Sequence, residues 1–207
     1  MEITLKDIGR RYNSEWIFRH INYRFEPGKS YAVLGQNGSG KSTLLKVLSG
    51  SLSSSEGELI YTDGERIIGI DQIYKQLSIA APYIELIEEF TLRELFDFHF
   101  QFKPYLQGFD KGSVLNLLGL ENALDKEIKY FSSGMRQRVK LVLACCSNTD
   151  LVLLDEPTSN LDTAGEEWYL DLIGRTKRDF RLFIICSNQK KEYEFCDERI
   201  SIIDFKK

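Results

Sequence analysis

The densest chemistry in the chain lies in eight consecutive residues, Gly35-Gln36-Asn37-Gly38-Ser39-Gly40-Lys41-Ser42. They satisfy the phosphate-loop pattern in the context that gives the pattern meaning, directly after a predicted strand and opening a predicted helix. The glycines let backbone N–H groups turn inward around a polyphosphate, and the helix N-terminus adds positive potential. Lys41 is expected to reach the outer phosphates and Ser42 to ligate magnesium. Chance alone produces such a match in roughly one chain of this length in a hundred or fewer. A second cluster is Leu151-Val152-Leu153-Leu154-Asp155-Glu156, four apolar residues delivering two carboxylates to a strand end. Asp155 is expected to hold magnesium, and Glu156 to polarise a water that attacks the terminal phosphate.

The elements that must position these groups follow from periodicity. Ser30-Tyr31-Ala32-Val33-Leu34 is a buried strand leading into the loop, and the run from Lys41 to Leu48 has helical spacing. Alternation such as Ile21-Asn22-Tyr23-Arg24-Phe25-Glu26 in the first thirty residues predicts half-buried antiparallel strands. Asp63-Gly64, between two short apolar segments, is a hairpin signal. From about 82 to 130 the pattern turns helical, with Leu92, Leu95, Phe96 and His99 on one face, as in a helical insertion. Leu151 to Leu154 and Leu182 to Ile185 are continuous apolar runs separated by a charged segment of helical length from Thr163 to Arg181. Buried parallel strands joined by a crossover helix are the expected arrangement.

Composition narrows the function classes. The 207 residues are 43% hydrophobic and 12% aromatic, enough apolar material for a sizeable core. Lys and Arg number 27 against 31 Asp and Glu, a net charge of -4, which disfavours nucleic acid as the main partner. The longest apolar run, Leu141 to Cys146, is far shorter than the roughly 18 residues of a membrane span. Met1-Glu2-Ile3-Thr4-Leu5-Lys6 lacks the pattern of an export signal, so a cytoplasmic location is expected. The four cysteines, at 145, 146, 186 and 196, have no metal-site spacing and are expected to be buried, reduced thiols. The two histidines, His20 and His99, offer no histidine-rich site.

A third motif lies between the phosphate loop and the carboxylates. Phe131-Ser132-Ser133-Gly134-Met135-Arg136-Gln137-Arg138 has Ser132 or Ser133 as a candidate helix cap, with Val139, Val142, Leu143 and Cys146 at core spacing behind it. With this segment the sequence resembles the nucleotide-binding domain of ABC transporters, and the resemblance extends over essentially the whole chain. It implies an α/β fold: a P-loop NTPase core with a mixed sheet, an N-terminal antiparallel β subdomain and a helical insertion, all in one unit spanning 1–207.

The resemblance implies that Ser132, Ser133 and Gly134 meet the terminal phosphate of an ATP held by a second nucleotide-binding subunit. Ser133 stands where the family usually has a first glycine. Asp162, in Ser159-Asn160-Leu161-Asp162, is implied to organise the opposite site. Tyr12 is implied to lie under adenine, with Trp16 as the alternative and core packing as the plain reading of either. The implied nucleotide contacts are thus Tyr12, Gly35, Asn37, Gly38, Ser39, Gly40, Lys41, Ser42, Thr43, Ser132, Ser133, Gly134 and Asp162. The magnesium ligands are Ser42 and Asp155, and the catalytic residues Glu156 and Asn188.

Two family residues are missing. No glutamine occurs between Gln76 and Gln101, where the core joins the helical insertion. After the last core strand, where the family has a switch histidine, Asn188 gives the best fit. The resemblance implies an ATPase that drives a transmembrane permease encoded as a separate chain, held peripherally on the inner face of the cell membrane. A regulatory clamp that closes on ATP but turns over slowly is the alternative, since both sensors are absent. A soluble phosphotransferase ranks last because it leaves the segments resembling the family's signature, Phe131 to Arg138, and its D-loop, Ser159 to Asp162, without a role. Tyr83, Ile84, Leu86 and Ile87, beside Glu85, Glu88 and Glu89, are expected to be either a docking surface for the partner or subdomain core.

Overall fold

The structure is a computed structural model and describes residues 1–206. Two sheets share the chain. The first carries β1 (Glu2–Tyr12), β2 (Glu15–Phe25), β4 (Glu56–Asp63) and β5 (Arg66–Ile68) in the order β2-β1-β4-β5, every pair antiparallel. The second carries β3 (Ser30–Leu34), β6 (Leu77–Ala80), β7 (Leu151–Asp155), β8 (Leu182–Cys186) and β9 (Glu198–Ser201) in the order β6-β7-β8-β3-β9, every pair parallel. The mixed core sheet of the sequence reading therefore resolves into two sheets, each of one kind.

The parallel sheet is buried on both faces, which is why its central strands are uninterrupted apolar runs. Side chains alternate between two cores. Ala32, Val152, Leu154, Phe183 and Ile185 face the helical side, while Tyr31, Val33, Leu151, Leu153, Leu182 and Ile184 face the antiparallel sheet and the first helix, α1 (Lys41–Leu48). The charged segment after β7 forms the crossover helix α5 (Thr163–Thr176), which ends before the expected Arg181.

The helical insertion contains α2 (Leu92–Phe102) and α3 (Lys111–Leu118), and leads into α4 (Ser133–Cys145). Thr91 with Glu94, and Asp110 with Ser113, form reciprocal capping boxes that satisfy the first free N–H groups of α2 and α3. A short helix, α6 (Lys190–Tyr193), follows β8. Among the described residues no helix is long and apolar enough to cross a membrane.

In a parallel sheet all strands end on the same edge, so the loops after neighbouring strands form one crevice. Here β3 neighbours β8, and β8 neighbours β7. The phosphate loop, Asn188 and the Asp155-Glu156 pair, which follow these three strands, are thus brought together by topology.

Candidate nucleotide site

The phosphate loop folds as a tight turn, with the Ser39 amide donating to Gln36 O at 3.0 Å and the Leu44 amide to Gly40 O at 2.9 Å. Gly40 has a φ of 106°, and a Cβ there would come within 2.5 Å of Ile17 Cγ2, so both conformation and space require glycine. The hollow beside it, about 380 Å³, is lined by Ile17, residues Asn37 to Thr43, and Glu156.

Lys41 is almost fully buried and folded back on its own loop. Its Nζ donates to Gly35 O at 2.6 Å, to Gln36 O at 3.3 Å and to Asn188 Oδ1 at 3.3 Å. Asn188 Nδ2 in turn donates to Asn37 Oδ1 at 2.7 Å. The amide of Asn188 is thereby held between the lysine and the loop.

Asp155 closes β7 with only 2% of its surface exposed. Burial pushes its carboxyl up, while the Ser42 hydroxyl and the charges of Lys41 and Lys46 hold it down. Its Oδ1 is buried without a hydrogen-bond partner. An orphaned carboxylate oxygen beside a serine hydroxyl and a polyphosphate loop suits a hard cation such as Mg2+, which keeps water and phosphate oxygens as most of its ligands. No cluster of three or more His, Cys, Asp or Glu side chains occurs among the described residues, as such sparse protein ligation allows. Glu156, the next residue, has a φ of 45°, unusual for a residue with a side chain. Its amide donates to Cys186 O at 2.9 Å, tying the ends of β7 and β8 together.

The signature and D-loop residues form a second hollow of about 350 Å³, lined by Ser132, Ser133, Gly134, Asn160 and Asp162 among others. Ser132 is the cap of α4, accepting from the Met135 amide at 3.2 Å, and Asp162 caps α5 by accepting from Gly165 N at 2.8 Å. A Cβ on Gly134 would meet Asn160 O at 3.0 Å, so the two loops touch. The fold does not bring this pair into the phosphate-loop hollow of the same chain.

Tyr12 is 45% exposed, which excludes core packing, and its ring lies under the Arg10 guanidinium at 4.6 Å. Neither Tyr12 nor Trp16 lines the phosphate hollow; Ile17 does. Trp16 is half-buried with guanidinium groups of Arg19 and Arg11 at 4.4 and 5.5 Å.

Where glutamine is missing, Tyr83 follows β6 closely, with Lys46 Nζ 4.2 Å from its ring centroid. Its phenol is pushed up by burial and by the nearby charge of Asp155. Two further supports were given no role in the sequence reading. Gln137, buried in α4, donates from Nε2 to Pro157 O at 2.7 Å, and Glu192, buried in α6, accepts from the Thr158 amide at 2.8 Å. A polar residue at a buried helical position was the only signal for either. Arg138 and Lys140 on α4 are half-buried: Arg138 lies 5.0 Å over the Trp168 ring, and Lys140 reaches Ala81 O and Pro82 O at 3.4 Å.

A phosphate loop after parallel strand β3, with a buried carboxylate at the end of β7, two strands away in the same sheet, defines a nucleotide-binding α/β protein of the P-loop type. Residues 18–159 match the family model described as ABC transporter. The chain belongs to the ABC transporter ATP-binding family. It is 28% identical over 196 residues to an uncharacterized ABC transporter ATP-binding protein of Bacillus subtilis, covering 94% of this chain and 89% of that one. It is 30% identical over 209 residues to the energy-coupling factor transporter ATP-binding protein EcfA1 of Thermotoga maritima, covering 96% and 76% respectively. Among solved structures, a putative ABC transporter ATP-binding protein from Pyrococcus furiosus superposes with a TM-score of 0.82 at 21% identity, over 99% of both chains. The dimeric bacterial cassette MJ0796 superposes with a TM-score of 0.81 at 20% identity, over 97% of this chain and 95% of that one.

Proposed function

We propose that this chain binds Mg-ATP on the phosphate loop, dimerises head to tail with a second nucleotide-binding subunit, and drives a separate membrane-spanning partner. The observation that carries this reading is the separation of the two hollows. Each holds half the groups expected to contact one ATP, so a two-fold dimer that places Ser132 to Gly134 of one copy over Lys41 of the other completes two sites at once.

In this mechanism Lys41 leaves the carbonyls of Gly35 and Gln36 for the outer phosphates, where a charge-assisted bond is stronger than its bonds to neutral acceptors. Ser42 and Asp155 would hold magnesium, which when bound neutralises phosphate charge and fixes the transferring group. Glu156 accepts a proton from water as the water oxygen attacks the terminal phosphorus and ADP departs. Asn188 donates an amide hydrogen to the developing phosphate charge, and Asp162 fixes the D-loop at the dimer interface. Tyr12, exposed on β1, would offer an aromatic face to adenine.

The groove beside the helical insertion supports the partner assignment. About 290 Å³ in volume, it is lined by Ile84, Leu86, Ile87, Leu95, Phe98 and Phe102, with Lys103 and Lys140 among them. The apolar stretch from Tyr83 to Ile87 is exposed or half-buried, as a docking surface needs. The chain would then be peripheral on the inner face of the membrane, held there through the partner.

The test is Glu156→Gln, which keeps side-chain shape but cannot take the proton. With saturating Mg-ATP the variant is expected to accumulate as a dimer by light scattering. A monomer that has bound ATP counts against the head-to-tail arrangement. The second reading, a slow regulatory clamp, is favoured by Asn188 itself, because a neutral amide cannot become cationic in the transition state. Steady-state hydrolysis that stays slow even with the membrane partner present would select it.

A further inference from the structure

Glu192 is 1% exposed and does not line the phosphate hollow described above. Its Oε1 accepts from the Thr158 backbone amide at 2.8 Å and from the Thr158 hydroxyl, while its Oε2 accepts from the Ser187 hydroxyl. All three donors are neutral. An ion this deep is costly to bury, and an apolar side chain would fill the volume without that cost. What the carboxylate adds is direction, because its two oxygens bind two different loops. Thr158 lies two residues beyond Glu156 on the β7 loop, and Ser187 lies one residue before Asn188 on the β8 loop. The Ser187 hydroxyl also accepts from the Gln189 amide at 2.8 Å, closing the turn that carries Asn188. The Tyr169 hydroxyl donates to Glu192 O at 3.0 Å, anchoring the short α6 to α5.

The strained backbone of Glu156 gives this arrangement a purpose. A non-glycine residue at φ 45° persists only where its surroundings over-determine it. We propose that Glu192 is a positioning residue: one buried carboxylate locks the loop bearing Glu156 to the loop bearing Asn188, so that base and amide donor keep a fixed spacing at the terminal phosphate. The proposal rests on the hydrolytic roles given to those two residues under Proposed function, yet the lock itself is a property of the nucleotide-free chain.

Two measurements on the full chain test it. Glu192→Ala is expected to lower kcat about tenfold or more, the loss typical of a bond to a charged acceptor, while ATP affinity by equilibrium titration stays within about twofold. Glu192→Gln can still accept from Thr158 through its carbonyl and donate to the Ser187 oxygen through its amide, so it is expected to recover most of the rate. In amide hydrogen exchange without nucleotide, Glu192→Ala should raise exchange in both segments, Glu156 to Ser159 and Ser187 to Gln189. Unchanged kcat, an equal fall in affinity and rate, or faster exchange in one segment alone overturns the proposal. If Glu192→Ala does not fold, Ser187→Ala decides: it cuts one arm of the lock, so a fall in kcat at near-constant ATP affinity with faster exchange from Ser187 to Gln189 is expected, and unchanged kcat overturns the proposal. A parent chain that binds or hydrolyses no ATP defeats the functional reading instead, and the exchange result alone then judges the lock.

Discussion

Asn188 bears most directly on how fast this site works. Its amide bridges Lys41 and Asn37 at 3.3 and 2.7 Å, so its side chain is at the loop where the outer phosphate would lie. An imidazole is longer than the amide and can carry a proton, so Asn188→His should stabilise developing charge better. Loss of one such donor commonly costs about 100-fold to 1,000-fold in rate. A gain of tenfold or more in hydrolysis, with ATP affinity unchanged, is the expected outcome in a steady-state assay. No gain in a folded variant would mean that another group sets the rate. The remaining histidines are no substitute. His20 lies on the antiparallel sheet, bonded to Asp7 at 2.7 Å, and His99 is half-buried against Ser147, with its imidazole pushed down to about 4 by desolvation.

At the scale of elements, the fully buried Arg181 holds the helical layer to the parallel sheet. Its guanidinium donates to Cys145 O at 2.7 Å and Thr176 O at 3.0 Å, the last carbonyls of α4 and α5, and also to Ser147 O at 3.0 Å and Thr149 O at 2.9 Å. A cation at two helix C-termini meets both the free carbonyls and the negative ends of the helix dipoles. Even with its pKa lowered to about 10 by burial, Arg181 stays charged at neutral pH. Arg181→Met would strip donors from several buried carbonyls at once and should cost about 3 kcal/mol or more, measured by denaturant unfolding. The sequence showed Arg181 only as the end of a charged segment, because its partners lie at the ends of three separate elements. The same limit explains β6 and β9. Leu77-Ser78-Ile79-Ala80 contains a serine that turns out to be buried, its hydroxyl donating to Ala144 O at 2.6 Å, and Glu198-Arg199-Ile200-Ser201 is a charged edge strand. Both are strands because of their parallel neighbours, not through their own patterns. By contrast β3, β7 and β8 were legible, since burial on both faces writes itself into the sequence as a continuous apolar run. The phosphate loop and the carboxylate pair were equally legible, being contiguous, whereas Gln137 and Glu192 reach the site only through tertiary contacts.

For the whole molecule, the groove between α2, α4 and the Tyr83 to Ile87 segment is the face on which partner docking is expected. Replacing Tyr83 and Ile84 together with serine should reduce recovery of the membrane partner from mild detergent extracts, while ATP binding persists. Loss of cooperative unfolding in that variant would instead mark these side chains as core. The four cysteines are all buried free thiols, as their spacing suggested. Burial pushes all four thiols up, Cys145 and Cys196 to about 12, which disfavours thiolate in the folded chain. Since thiolate is the form that reacts, alkylation must wait for local opening. The thiols are distributed usefully for this: two at the end of α4, one ahead of β9, and Cys186 at the tip of β8, with Sγ 3.6 Å from Lys41 O beneath the phosphate loop. The native chain thus carries its own stopwatches, and the rate at which iodoacetamide marks Cys186 counts how often the floor of the phosphate loop comes apart.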